Sequence, residues 1–373
     1  MLSEDYGNEI IVFDIGGTWF RWGIHARAKG LIEAHRSPAI NYLTNPTAKP
    51  QELQSALVNF ILERVDQIHA GRHSAPNTVS ISLGAPINAH DMTVFGSGPL
   101  WGPTALPIDL STQLRQARSE VEWFVVNDVT AMLAPYMEEA IDCNKTMLIT
   151  VSSGIGSRLY DHRAHRIPYD SVYGIQGEIG HLACAFELDG LSIRRQCECG
   201  GWNHMNAFSS GRGIASILQS LPAMSSTYSS MFVDSPAAWQ ETKDEYRLNE
   251  FMQALEHDNP AALKLLQAFV TPLSRALATA LSMDPDIDRI IMTGGVVQGL
   301  GQHYRKALKE VFVREGLYQI TPRDPQYLDR RLIWAEADDF SGLKGAGIYA
   351  TRPIGSPPPQ RTRASTHHMA ELS

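Results

Sequence analysis

Three short stretches combine glycine with hydroxyl or carboxylate side chains directly after an apolar run. Asp14-Ile15-Gly16-Gly17-Thr18 follows the β-branched run Ile10 to Phe13. A glycine pair lets backbone N–H groups approach a phosphate, Thr18 adds a hydroxyl, and a carboxylate at a strand end can hold Mg²⁺ directly or through water. No Gly-Lys-Ser/Thr follows, so this is not a Walker A loop, and an ordinary tight hairpin turn is the alternative. Ser152-Ser153-Gly154-Ile155-Gly156-Ser157 and Thr293-Gly294-Gly295-Val296-Val297 repeat the arrangement. Each turn alone is a weak signal, but three spread over both halves point to a nucleotide held between two lobes. Asn127-Asp128 closes a fourth apolar run. A carboxylate at a cleft-facing strand end suits a general base, and the amide beside it can orient a substrate hydroxyl. The same pair could instead cap a helix beginning at Val129.

A second chemistry is written in Gly177-Glu178-Ile179-Gly180-His181 and the later Cys197-Glu198-Cys199-Gly200-Gly201-Trp202-Asn203-His204. His181, Cys197, Cys199 and His204 make a Cys₂His₂ set of the type that binds tetrahedral zinc. No ligand position is left for water, which implies a structural metal. A redox pair or two buried thiols are the alternatives.

These residues need elements to position them. Strands are expected at Ile10–Phe13, Trp19–His25, Thr78–Leu83, Glu122–Val126, Thr146–Val151, Arg289–Met292 and Leu332–Ala335. Helices are expected at Gln51–His69, with Leu53, Leu57, Phe60, Ile61, Val65 and Ile68 on one face, and at Asp109–Arg118, Ala261–Leu281 and Ser341–Tyr349. Strands alternating with helices predict an α/β fold with a mixed sheet. The chain has 373 residues and a net charge of −8, a balance ill suited to gripping phosphate backbones of nucleic acid. Its four cysteines are too few for a disulfide scaffold. No apolar run approaches a membrane span, and the acidic N-terminus lacks the basic start of a signal peptide. A soluble protein of a reducing, cytoplasmic compartment is expected, with no nucleic-acid or membrane partner.

The three glycine turns resemble those of the sugar kinase, Hsp70 and actin superfamily. Taken in order, Asp-x-Gly-Gly-Thr, Asn-Asp, the Ser-Gly-Ile-Gly loop, Gly-Glu-x-Gly-His, Cys-x-Cys-Gly and Ser210-Gly211-Arg212-Gly213 are similar to the ROK family of repressors, open reading frames and sugar kinases. The resemblance spans about residues 10 to 350. It implies a two-lobed, ribonuclease H-like fold with a cleft between the lobes. It implies ATP and Mg²⁺, bound by Asp14, Gly16, Gly17 and Thr18 on one side and Ser152, Ser153, Gly154 and Gly156 on the other, with Gly294 and Gly295 near the adenosine. It implies Asp128 as catalytic base, Asn127, Glu178, His181 and Asn206 lining a sugar site, His181 also ligating zinc, and a homodimer. The expected lobes are 1–126, completed by a helix near 341–350, and 127–340 with the zinc knuckle. Residues 351–373, rich in Pro and Arg, are expected to form a disordered tail.

The sequence also departs from the family pattern Cys-x-Cys-Gly-x-x-Gly-Cys-x-Glu. His204 replaces the third Cys, Asn203 the preceding Gly, and Asn206 the terminal Glu, a charged hydroxyl acceptor. The interval from His181 to Cys197 carries an insertion around Leu188 to Arg195, and Trp19-Phe20-Arg21 is bulky after the first turn. These departures make a modified hexose or a C7-cyclitol of valiolone or valienone type the expected acceptor, phosphorylated on its exocyclic primary hydroxyl. Glucokinase or N-acylhexosamine kinase activity, a non-catalytic sugar-binding regulator and a DNA-binding repressor are the alternatives. The repressor would need a helix-turn-helix ahead of Asp14.

Overall fold

The computed structural model describes residues 9–72, 75–139, 143–224 and 243–351. The expected tail lies outside the described residues beyond Thr351. Two sheets carry the fold. The first has the order β3-β2-β1-β4-β5, built from β1 (Glu9–Ile15), β2 (Trp19–Ala26), β3 (Gly30–Pro38), β4 (Thr78–Leu83) and β5 (Glu122–Asn127). β1, β2 and β3 form an antiparallel meander, and β4 and β5 add in parallel beside β1. The β1–β2 register pairs Ile15 with Phe20, so Gly16 to Thr18 sit in the turn. Gly16 N–H closes it on Trp19 O at 3.1 Å.

β1 is buried on both faces, which is why it reads as an unbroken apolar run. Ile11, Phe13 and Ile15 face a core shared with α1 (Pro50–Ala70) and with α2 (Gly98–Trp101) and α3 (Leu110–Ala117). Helix α1 starts where Pro50 follows Lys49 and Glu52 accepts the Lys49 N–H at 2.7 Å, and proline sits at a first-turn position whose N–H would have no partner in the helix. Ile10 and Val12 face the other way, against Leu343 and Ala346 of the last helix.

α4 (Asp128–Glu139) leaves β5 and packs on both sheets. The second sheet has the order β11-β10-β6-β7. Its strands are β6 (Lys145–Val151), β7 (Ile155–Asp161), β10 (Ile287–Thr293) and β11 (Leu332–Trp334). One face carries a core of Ile149, Val151, Ile290 and Met292 under α6 (Gly211–Met224), α7 (Asp244–Glu256), α8 (Pro260–Met283) and α9 (Gly295–Glu315). The other face packs Leu148 and Ile291 against Val129 and Leu133 of α4. Between β7 and α6 lie the short hairpin β8 (Glu187–Leu188) and β9 (Leu191–Ser192) and the single turn α5 (Asn206–Ser209). The hairpin overlaps the segment Leu188 to Arg195 where an insertion is expected. Its tip, Asp189-Gly190, has φ of 52° and 77°, the two positive values a type I′ turn requires. α10 (Ser341–Thr351) returns to the first sheet and packs beside α4.

Candidate active site between the two sheets

The β1–β2 turn, the β4 and β5 ends, the β6–β7 turn and the start of α9 open on one cleft of about 850 Å³. Every candidate residue singled out in the sequence lines it except His204. The three glycine turns thus come from both sheets and face one space.

Asp128 is the first residue of α4. Asn127 Oδ1 accepts the N–H groups of Val129 (3.0 Å) and Thr130 (3.3 Å), and Asn127 Nδ2 donates to Ala85 O at 2.8 Å. Arg158 Nη2 also donates to Asn127 Oδ1. The capping reading of the Asn-Asp pair is met by Asn127. Asn127 also lines the cleft, and its Nδ2 carries a second N–H beyond the bond to Ala85 O. Asp128 keeps one oxygen on Val129 N–H at 2.8 Å and the other toward the cleft.

Three carboxylates share the cleft floor. Burial pushes the Asp128 carboxyl up to about 7, the Asp14 and Glu178 charges add to the rise, and the Val129 N–H and Arg158 oppose it. Burial also raises Asp14, against the pull of Arg21 and Ser82, and raises Glu178, against that of Arg158. Asp14 is held by Ser82 Oγ at 3.0 Å and Arg21 Nη1 at 3.2 Å. Arg158, 3% exposed on β7, lies over the Tyr169 ring at 5.8 Å and bonds Gln176 O. Sequence reading missed Arg158, because a lone arginine in a strand carries no spacing signal.

The knuckle forms below this floor. The ligand atoms of His181, Cys197, Cys199 and His204 lie within 4.8 Å of one another. Cys197 Sγ is 3.9 Å from His181 Nδ1 and Cys199 Sγ 3.1 Å from His204 Nδ1, and the two imidazoles stand at 88°. Two thiols and two imidazoles at this spacing fit a tetrahedral zinc, with bonds of about 2.0–2.3 Å. Burial lowers His181, which favours the neutral, ligating form, and pushes the Cys197 thiol up to about 11, so a metal must displace its proton. Gly201 makes room for the second imidazole: a Cβ there would stand 2.3 Å from His204 Cε1. Cys184 stands apart from the four.

Asn206 lines the cleft and also makes a contact within the protein. Its Oδ1 accepts the Ile155 N–H at 2.7 Å, and it fills the space beside Gly180, where a Cβ would meet Asn206 Oδ1 at 2.5 Å. The amide thus stitches the β6–β7 turn to the Glu178–His181 segment. It offers the cleft a donor, with its acceptor already engaged.

The ROK family model matches residues 10–352. The chain belongs to the ROK family. It is 36% identical over 351 residues to a 2-epi-5-epi-valiolone 7-kinase from Actinoplanes sp., covering 91% of this chain and 92% of that one. It is 30% identical to a C(7)-cyclitol 7-kinase from Streptomyces hygroscopicus subsp. jinggangensis, covering 94% and 95%. A crystal structure of a ROK family glucokinase from Streptomyces griseus, in complex with glucose and AMPPNP, superposes with a TM-score of 0.63 at 18% identity, covering 91% and 98%. At that identity the likeness establishes the two-lobed fold.

Within the ROK pattern the knuckle's departures have local reasons. Asn203 has φ 57°, the left-handed region that glycine favours and asparagine tolerates best among the rest. Its Oδ1 also accepts the Arg195 N–H at 3.1 Å, which ties the hairpin segment to the knuckle. Arg195 in turn donates to Ser216 and Ser220 of α6. Of residues 188–195, Arg195 lines the cleft wall.

Proposed function

We propose that this ROK chain is an ATP-dependent kinase that phosphorylates the exocyclic primary hydroxyl of a C7-cyclitol of valiolone type. The carrying observation is the Asp128 carboxyl, set between the first two glycine turns and raised to about 7. A base of that strength can take the hydroxyl proton near neutral pH as the oxygen attacks. The acceptor class rests on the named activities of the two relatives that match nearly the whole chain.

ATP with Mg²⁺, when bound, supplies the phosphoryl group and the cation that offsets charge on its oxygens. The chain's own groups do the rest. Backbone N–H groups of Gly17, Ser153 and Gly154 bond phosphate oxygens, with the hydroxyls of Thr18 and Ser152 beside them, while Gly16 closes the first turn through its own N–H. Asp14 keeps lone pairs free beyond its bonds to Arg21 and Ser82, enough to hold a hydrated cation. Gly156, at the start of β7, and Gly294 and Gly295, at the start of α9, give close backbone approach, the latter pair on the adenosine side. Glu178 and His181 bond ring hydroxyls. Asn127 and Asn206 position these groups. A structural Zn²⁺ on His181, Cys197, Cys199 and His204 fixes the floor of the acceptor site. ATP as donor fits a cytoplasmic enzyme, and a homodimer is the expected assembly.

Steady-state kinetics with ATP over a panel of 2-epi-5-epi-valiolone, glucose, mannose and N-acetylmannosamine tests the reading. The cyclitol should show the highest kcat/KM and yield the exocyclic phosphate. The highest value for glucose would overturn the acceptor assignment, and no turnover of ATP with any acceptor would overturn the kinase.

A further inference from the structure

Glu198, between the two knuckle thiols, and Arg212, the second residue of α6, form an ion pair at the cleft edge. Arg212 Nη1 alone donates to both Glu198 oxygens, at 2.9 and 2.8 Å. Its other amino group, Nη2, makes no hydrogen bond to the protein among the described residues. It faces the first glycine turn across the gap between the lobes, where a Cβ on Gly17 would stand 3.5 Å from it. Pro99 Cβ lies 2.5 Å from that same position, so Pro99 and the guanidinium together border the space beside Gly17.

The cleft is short of cations for a polyphosphate. No lysine lines it. Of the arginines that line it, Arg195 uses both amino groups on protein oxygens, and Arg21 is held beside Asp14 through Nη1. Arg212 uses one amino group and keeps the other toward the turn expected to cradle phosphate. A planar guanidinium is well shaped for phosphate oxygens, and a carboxylate on its far side fixes its direction.

We propose that Arg212 binds the terminal phosphates of the nucleotide from the second lobe, and that Glu198 is its positioning residue, so that the metal knuckle aims a phosphate-binding arginine. The inference rests on the kinase reading above. Binding of AMPPNP, ADP and AMP to the zinc-loaded protein and to Arg212→Gln, Arg212→Lys and Glu198→Gln tests it by calorimetry, with zinc content and melting temperature measured on each. Arg212→Gln should weaken AMPPNP by about 10- to 100-fold, the cost of one charged hydrogen bond, while AMP stays within about twofold. Arg212→Lys should recover part of the loss. Glu198→Gln should fall between, with unchanged zinc content. AMPPNP affinity unchanged in both Arg212 variants, or an equal loss for AMP, would overturn the proposal and leave the kinase reading standing. Failure of the unaltered protein to bind AMPPNP would overturn both.

Discussion

At Asp128 the position in the chain and the ionisation work together. The carboxyl is raised from 3.8 to about 7, so the active, ionised base accumulates as pH rises through neutrality. The kcat/KM for the acceptor should climb through about pH 7 and level above it, read from a pH–rate profile. Asp128→Asn should keep the fold and nucleotide binding and lose about 10²–10⁴-fold in phosphoryl transfer, by single-turnover measurement. Stability should move the other way. A folded-state value above the unfolded one means the native protein holds that proton more tightly between about pH 4 and 7, so ionisation costs stability as pH rises through the window and the cost persists above it. Asp128→Asn should therefore melt higher than the parent at pH 8, with the difference gone at pH 4; equal melting temperatures at pH 8 would show no such cost. The place of Asp128 in the cleft was legible because it directly follows a buried apolar run, whose end fixes it. The division of labour with Asn127 was not, since Asn and Asp are equally good caps and only the direction of the side chains separates them. Arg158 and Glu198 were silent for the same reason: their importance lies in what they face, across 31 and 14 residues of sequence.

The elements show where periodicity suffices and where it fails. Strands β1, β4, β5, β6 and β10 and helices α1, α3, α8 and α10 lie where their apolar patterns put them, within a few residues. β3 was missed because it is an edge strand whose side chains are mostly outside the core, and α9 because glycines interrupt it, with Gly301 at φ 49° inside the helix. The knuckle was legible from ligand type alone, yet its working part is the spacing between ligands. Gly201→Ala changes no ligand but drives a methyl into the His204 ring. It should weaken zinc binding by about 10- to 100-fold, as loss of a supporting contact does, measured by competition with a chelator. Cys199→Ser should lower zinc content and melting temperature together. Unaltered zinc affinity in Gly201→Ala would mean the turn has room that the structure does not show.

At the scale of the whole molecule, two sheets are joined by α4 and roofed in part by a helix from the far end of the chain. α10 fits against the first sheet through small residues. A Cβ on Gly345 would lie 1.9 Å from Ala131 O, and one on Gly342 would lie 2.3 Å from Asp14 Oδ1. Gly345→Leu should therefore lower the melting temperature sharply, by forcing α10 off α4, and should also impair ATP binding through Asp14; a melt unchanged from the parent would contradict that packing. This arrangement has a consequence in time. All five strands of the first sheet are synthesised before the second lobe begins, yet Ile10 and Val12 on one face of that sheet pack against Leu343 and Ala346 of α10. At ~5–20 residues per second the ribosome needs roughly ten to forty seconds to reach them. For that interval a nascent chain carries a finished sheet with an uncovered apolar side, so the earliest part of the protein to be made is among the last to be sealed. Stalled chains ending at 340 should remain open to protease within residues 9–72 while the second lobe resists it, and release with residues 341–351 added should close the first lobe in one step.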